Sequence, residues 1–166
     1  MKNTDKFLIG IIIGAVLLVG VALAVAFMRP KPSYQPEDTP EGVAHNYLFA
    51  LQQGDYQRAY GYLSPTLAGY PTSADKFATD LDKYAWQLKD LNKGSVALAI
   101  ESTHASDDRA EVSVKETRFY QGGLFDSNEY SNTFQVTLHR QDGRWRITAS
   151  DSYWASCWDS KAGCSK

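Results

Sequence analysis

Phe7 to Met28, FLIGIIIGAVLLVGVALAVAFM, is a run of 22 residues without a charge. At about 1.5 Å of rise per residue, a helix over this run spans roughly 33 Å, enough for the hydrocarbon core of a bilayer. Two readings are open. One is an uncleaved anchor. The other is a signal peptide cut after the small-x-small pattern Ala22-Leu23-Ala24. The apolar run continues past that pattern through Val25, Ala26, Phe27 and Met28 and then meets Arg29, so the anchor is the expectation. Lys2 and Lys6 flank one end and Arg29 and Lys31 the other, so charge does not orient the segment. The tail before it, residues 1–6, is short. This suits a signal-anchor with the large C-terminal part outside the cytoplasm, and the expected location is the cell membrane, crossed once. Gly10 and Gly14 have the spacing of a close helix pair, which would suit a homodimer.

Residues 29–40, RPKPSYQPEDTP, hold four prolines and few apolar side chains. Such a stretch reads as an extended spacer between the membrane segment, residues 7–28, and a single domain over residues 41–166. Without Lys2, Lys6, Arg29 and Lys31, 13 of the 17 basic residues remain beyond the spacer. Without Asp5, Glu37 and Asp38, 16 of the 19 acidic ones do. A domain with no basic excess is not expected to bind nucleic acid. Two cysteines and three scattered histidines do not make a zinc-finger framework.

Thr39 followed by Pro40 is a helix start, and Val43, Ala44, Tyr47, Leu48 and Leu51 share one helical face up to Gly54. Asp55 caps a second helix with Tyr56, Ala59, Tyr60 and Leu63 on one side, stopped by Ser64-Pro65. Ser73 starts a third, with Phe77, Leu81, Tyr84, Ala85 and Leu88 aligned, closed by Asn92-Lys93-Gly94. Trp86 lies off that stripe. The period then changes to two. Val96, Leu98 and Ile100 mark one strand and Ala110, Val112 and Val114 another. Tyr130, Phe134, Val136 and Leu138 mark a third after a loop begun by Gln121-Gly122-Gly123. Trp145, Ile147 and Ala149 follow the hairpin turn Gln141-Asp142-Gly143-Arg144. Three helices followed by a four-strand antiparallel meander predict an α+β domain with the helices on one face of the sheet.

Two stretches, AHNYLFALQQGDYQRAYGYLSP (Ala44 to Pro65) and FQVTLHRQDGRWRIT (Phe134 to Thr148), resemble the nuclear transport factor 2-like superfamily of cystatin-like fold. The resemblance implies a cone of three helices on a curved sheet, with a pocket between them. Its members include ketosteroid isomerases, dehydratases, transport factors and many membrane-anchored bacterial domains. In the isomerase branch a first-helix tyrosine before the Gly-Asp break donates to a developing oxyanion, and Tyr47 resembles it in placement. That branch also needs a carboxylate base after the second helix. Ser64 to Ser73 here contains no acid.

Strand parity adds the other pocket candidates. Continuing the apolar faces brings Glu116 and Arg118 inward on the second strand, Asn132 on the third and Asp151 after the fourth, unless a bulge flips the alternation. His45, His104 and His139 have no metal-ligand spacing, so no metal site or cofactor is expected. Cys157 and Cys164, seven apart with a glycine between, permit a disulfide, with free thiols as the alternative. No catalytic constellation emerges. The expectation is a non-catalytic extracytoplasmic domain that binds a small apolar or planar ligand or a cell-envelope protein. A pocket enzyme of the isomerase or dehydratase type, using Tyr47 and a cavity carboxylate, is the alternative.

Overall fold

The computed structural model describes residues 2–28, 32–92, 94–121 and 127–164. They form two units, Met1–Ser33 and Tyr34–Lys166. The first is one helix, α1 (Lys2–Met28). Its stretch Phe7–Ala24 is fully exposed and, by length and composition, apolar enough to cross a membrane. Leu8, Ile9, Leu17, Val21 and Leu18, all exposed, lie around its whole circumference, so no side is set apart for a soluble core.

In the second unit, α2 (Pro40–Gln53), α3 (Tyr56–Gly61), α4 (Ala74–Tyr84) and α5 (Gln87–Asn92) precede a sheet of β1 (Val96–Ala105), β2 (Arg109–Gln121), β3 (Ser127–Gln141) and β4 (Arg144–Ser150). The sheet is antiparallel, in the order β1-β2-β3-β4. The local signals act as read. The Thr39 hydroxyl accepts from the amide of Gly42, and the Asp55 and Ser73 side chains cap α3 and α4 in the same way. Gly54 takes the left-handed conformation that ends α2. Asp142 and Gly143, both at positive φ, form the two-residue turn between β3 and β4. The core packs Val43, Tyr47, Leu48 and Leu51 of α2 and Phe77 and Leu81 of α4 against Val112, Val114, Val136, Leu138 and Ile147 of the sheet.

Three features depart from the sequence reading. The helix expected to run from Ser73 through Leu88 is two helices. The chain leaves helical geometry at Ala85, and the turn there carries Leu88 and Leu91 into the core while Trp86 stays exposed. The expected close of that helix includes Lys93, and the loop after Gln121 includes Gly122 and Gly123; these positions lie outside the described residues.

The compact unit begins at Tyr34, before the end of the stretch read as a spacer. Asn46, buried in α2, accepts from the amide of Gln35 at 2.7 Å and donates to its carbonyl at 2.8 Å. Its side chain pairs with the linker as a neighbouring strand would. The Tyr34 ring meets the edge of Phe49, and Glu37 bonds Arg58 and Tyr62. Residues 29–31 of the spacer lie outside the described residues.

The third departure is a bulge. Leu138 pairs with Ile147 but Thr137 pairs with Ala149, so Thr148 is an extra residue on β4 and the alternation reverses beyond it. Past the sheet, Cys157 and Cys164 form a disulfide with Cα atoms 5.0 Å apart. Trp158, in a short 3-10 turn (Ser156–Asp159), buries its indole and donates to Asp80.

Gly42 is where the strap comes nearest to α2. A Cβ there would lie 1.9 Å from the Pro36 carbonyl oxygen, with backbone on both sides of the contact. Gly42→Ala is therefore expected to push residues 34–37 off the helix. Limited proteolysis should then cut between Tyr34 and Asp38 much faster than in the native chain, with a loss of about 1–3 kcal/mol on denaturant unfolding. An unchanged cleavage rate would contradict the docking of the strap.

Candidate functional site

The interior of the sheet holds one buried carboxylate. Glu116 lies at the middle of β2, where Leu98 flanks it on β1 and Asn132 on β3. It is 1 % exposed. An isolated ionised carboxylate at such depth would be prohibitive, so its partners decide whether it is tolerated. Two are present. Arg118, two residues along the same face, places Nη2 2.6 Å from Glu116 Oε1. The Tyr153 hydroxyl donates to the same oxygen at 3.0 Å.

The chain after β4 delivers Tyr153 by an unusual backbone. Its φ is +58°, a conformation rare for a bulky residue. The ring is buried beside Phe134, the hydroxyl reaches Glu116, and the carbonyl accepts from the Tyr47 hydroxyl at 2.6 Å. Tyr47, Tyr153, Glu116 and Arg118 thus form one line of hydrogen bonds from α2 to β2. Burial raises the phenol of Tyr47 above its ordinary value, and burial with the nearby Glu116 charge raises that of Tyr153. At Arg118 burial opposes the charge, but Glu116, Tyr153 and Asp90 together outweigh it and the guanidinium titrates above its usual range.

Arg118 is where this line meets the outside. Its Nη1 also contacts Asp90 of α5 at 2.6 Å, and its guanidinium lies under the Trp86 ring, 5.0 Å from the centroid. Trp86 is 63 % exposed. On the same sheet face Tyr130 pairs with Arg118 across the strands, and Tyr120 follows two residues on; both rings are exposed. Asn132, the cross-strand partner of Glu116, has its Oδ1 shielded from solvent without a hydrogen-bond partner among the described residues. A buried acceptor left in this state is costly and suits a donor from outside the chain.

Of the five residues picked from the sequence, Tyr47, Glu116, Arg118 and Asn132 lie on the inner side. Asp151 does not. The extra residue at Thr148 turns it outward, where it is exposed and accepts from the Gln135 amide at 3.0 Å. Sequence reading missed the connecting role of Tyr153, whose left-handed backbone has no local signal. It also missed Asp90 and left Trp86 unassigned, because both depend on the break after Tyr84. No group of three or more metal-ligating side chains occurs among the described residues.

The raised phenols carry a sign. Folding favours the protonated tyrosines, so their contribution is complete below pH 10 and is lost as pH rises through the folded values. Spectroscopic titration should therefore leave Tyr47 and Tyr153 un-ionised beyond the ordinary tyrosine range until the domain unfolds. Tyr47→Phe strands the Tyr153 carbonyl and is expected to lose about 1–3 kcal/mol on denaturant unfolding. A neutral Tyr47→Phe would show that this bond does not hold the chain after β4.

No protein-family model matches the sequence, and no curated protein matches it. Solved structures do show similarity. An NTF2-like protein of unknown function from Shewanella oneidensis is 17 % identical with a TM-score of 0.45, over 70 % of this chain and 97 % of that one. An NTF2-like protein with a cystatin-like fold from Novosphingobium aromaticivorans is 13 % identical with a TM-score of 0.45, over 65 % and 74 %. A SEC-C motif protein from Rhodopseudomonas palustris is 12 % identical with a TM-score of 0.45, over 71 % and 81 %. By its own strand order and the placement of its helices on one face of the sheet, the unit Tyr34–Lys166 is the α+β domain that the sequence predicts.

Proposed function

We propose that the chain is a single-pass membrane protein whose extracytoplasmic domain binds a small planar ligand at the mouth of its cone without transforming it. The observation that carries this reading is the unpartnered Oδ1 of Asn132 beside Arg118 and the exposed Trp86. A flat ligand that stacks on Trp86 and Tyr130, donates to Asn132 and accepts from Arg118 fits those three chemistries. An isomerase-like reaction would need the Tyr47 hydroxyl and a free base. That hydroxyl is engaged by the Tyr153 carbonyl, and Glu116, itself buried, is held by Arg118 and the buried Tyr153. The exposed, apolar α1 and the Cys157–Cys164 disulfide support the topology, since disulfides persist outside the reducing cytoplasm.

Two measurements test this. The full-length chain should stay in the membrane fraction through alkaline carbonate washing, and a reporter active only in the cytoplasm should be silent when fused after Lys166. Release of a species beginning near Val25 would favour a cleaved signal instead. For binding, 2-naphthol serves as a planar donor, titrated into the full-length protein in detergent and followed by the Trp86 indole resonance. Asn132→Leu keeps the branching at Cγ, adds volume and removes the orphan acceptor. It is expected to leave stability unchanged or raised and to weaken the naphthol about tenfold or more. A destabilised Asn132→Leu that binds as before would show that Asn132 is a structural residue, and turnover abolished by Tyr47→Phe would overturn the non-catalytic reading.

A further inference from the structure

A second hollow, of about 620 Å³, opens where the strap, α3 and the β3–β4 hairpin meet. Glu37, Asp38, Arg58, Tyr62, Arg144 and Arg146 line it, together with Trp145. A smaller one of about 310 Å³, beside Gln141 and Asp142, shares Arg144 and Arg146. Three guanidiniums therefore converge on one surface of a domain with no overall basic excess.

They are not equivalent. Arg58 is fully engaged. It pairs with Glu37 at 3.1 Å, donates to the Tyr62 hydroxyl at 2.9 Å and lies 3.4 Å from the centroid of the Tyr34 ring. Glu37 in turn accepts from Tyr62 at 2.7 Å, and that hydrogen bond, ahead of the Arg58 charge, holds its carboxyl below the ordinary range against the effect of burial. This acid is hydrogen-bonded by Tyr62 and paired with Arg58, and the charge of Arg144 acts on it too, behind both of those partners. Arg146 donates from Nη1 to the Gly61 carbonyl, which orients it without cancelling its charge. Arg144 makes no ion pair and no side-chain hydrogen bond with any described residue. The remaining acids at the rim, Asp38 and Asp142, are exposed and bond neither arginine.

Arg144 and Arg146 stand two apart on β4, so their side chains leave one face of the strand about 7 Å apart. Two guanidinium forks at that spacing offer more donors than the two oxygens of a carboxylate use. They match a tetrahedral oxyanion with several free oxygens. We propose that this groove is a binding site for a phosphate-class oxyanion, separate from the mouth of the cone. The phosphate has two sources, a soluble phosphate ester or a phospholipid headgroup. The second is within reach by chain length, because nine residues lie between Met28 and Asp38, about 31 Å of polyproline-like chain over ten residue steps.

The test uses the full-length chain in a phosphate-free maltoside detergent. Glycerol 1-phosphate, dioctanoyl phosphatidylglycerol and acetate are titrated separately, and the Trp145 indole resonance, assigned by its loss in Trp145→Phe, reports occupancy. Saturable shifts are expected with a phosphate probe and not with acetate. Arg144→Gln should weaken binding at least tenfold with an unchanged melting temperature, because that side chain holds no other residue. Arg109→Gln, whose arginine pairs with Glu111 on another strand, should bind as the native chain does. Binding of glycerol 1-phosphate confirms the site with the soluble ester as a sufficient source. Binding of the lipid alone confirms it with the headgroup as the source. No shift with either phosphate probe, equal binding of acetate, or native affinity in Arg144→Gln would overturn the proposal.

Discussion

The domain is organised around one buried carboxylate. Glu116 sits on the inner face of the sheet, where hydrophobic residues alone would have been simpler to bury. A buried ion pair adds little net stability over an apolar replacement, but removing one of its partners is severely destabilising. The consequence is geometric. The Tyr153 hydroxyl must reach Glu116, so the chain after β4 crosses the sheet face with its backbone at positive φ, and Tyr47 closes over the carbonyl that results. Arg118 supplies the compensating charge and carries it toward the rim, where Asp90 and Trp86 meet it. The closed interior and the polar mouth are two ends of one network.

This arrangement keeps the Tyr47 hydroxyl inside the core. An oxyanion-binding tyrosine is useful only while its hydroxyl faces a substrate. Here a backbone carbonyl occupies it. The groups that remain available lie farther out, on residues whose side chains are exposed aromatics, an amide and an arginine. The proposed planar ligand would meet this set of groups and not the buried carboxylate.

Much of the fold was legible because its signals are local. Thr39, Asp55 and Ser73 cap helices with their own side chains, Gly54 supplies left-handed geometry, and Asp142-Gly143 turns a hairpin. The alternation on β2 and β3 placed Glu116, Arg118 and Asn132 correctly because neither strand is bulged in their mutual pairing. Asp151 was misplaced by one extra residue at Thr148, whose position is set by how β4 packs and not by any glycine or proline. The break at Ala85 likewise follows from the burial of Leu88 and Leu91. Prolines in residues 29–40 signal chain without a helix or strand of its own, and residues 32–36 have none. Whether such chain is free or docked depends on a distant side chain, Asn46, that no linker composition reveals.

That docking has a mechanical side. In a tethered protein, tension arriving along the linker does not act first on the cap of α2. It meets the paired hydrogen bonds of Gln35 with Asn46, then the Glu37–Arg58–Tyr62 cluster, and only afterwards the helix that carries Tyr47. A strap docked in this way would take such a load before the core does.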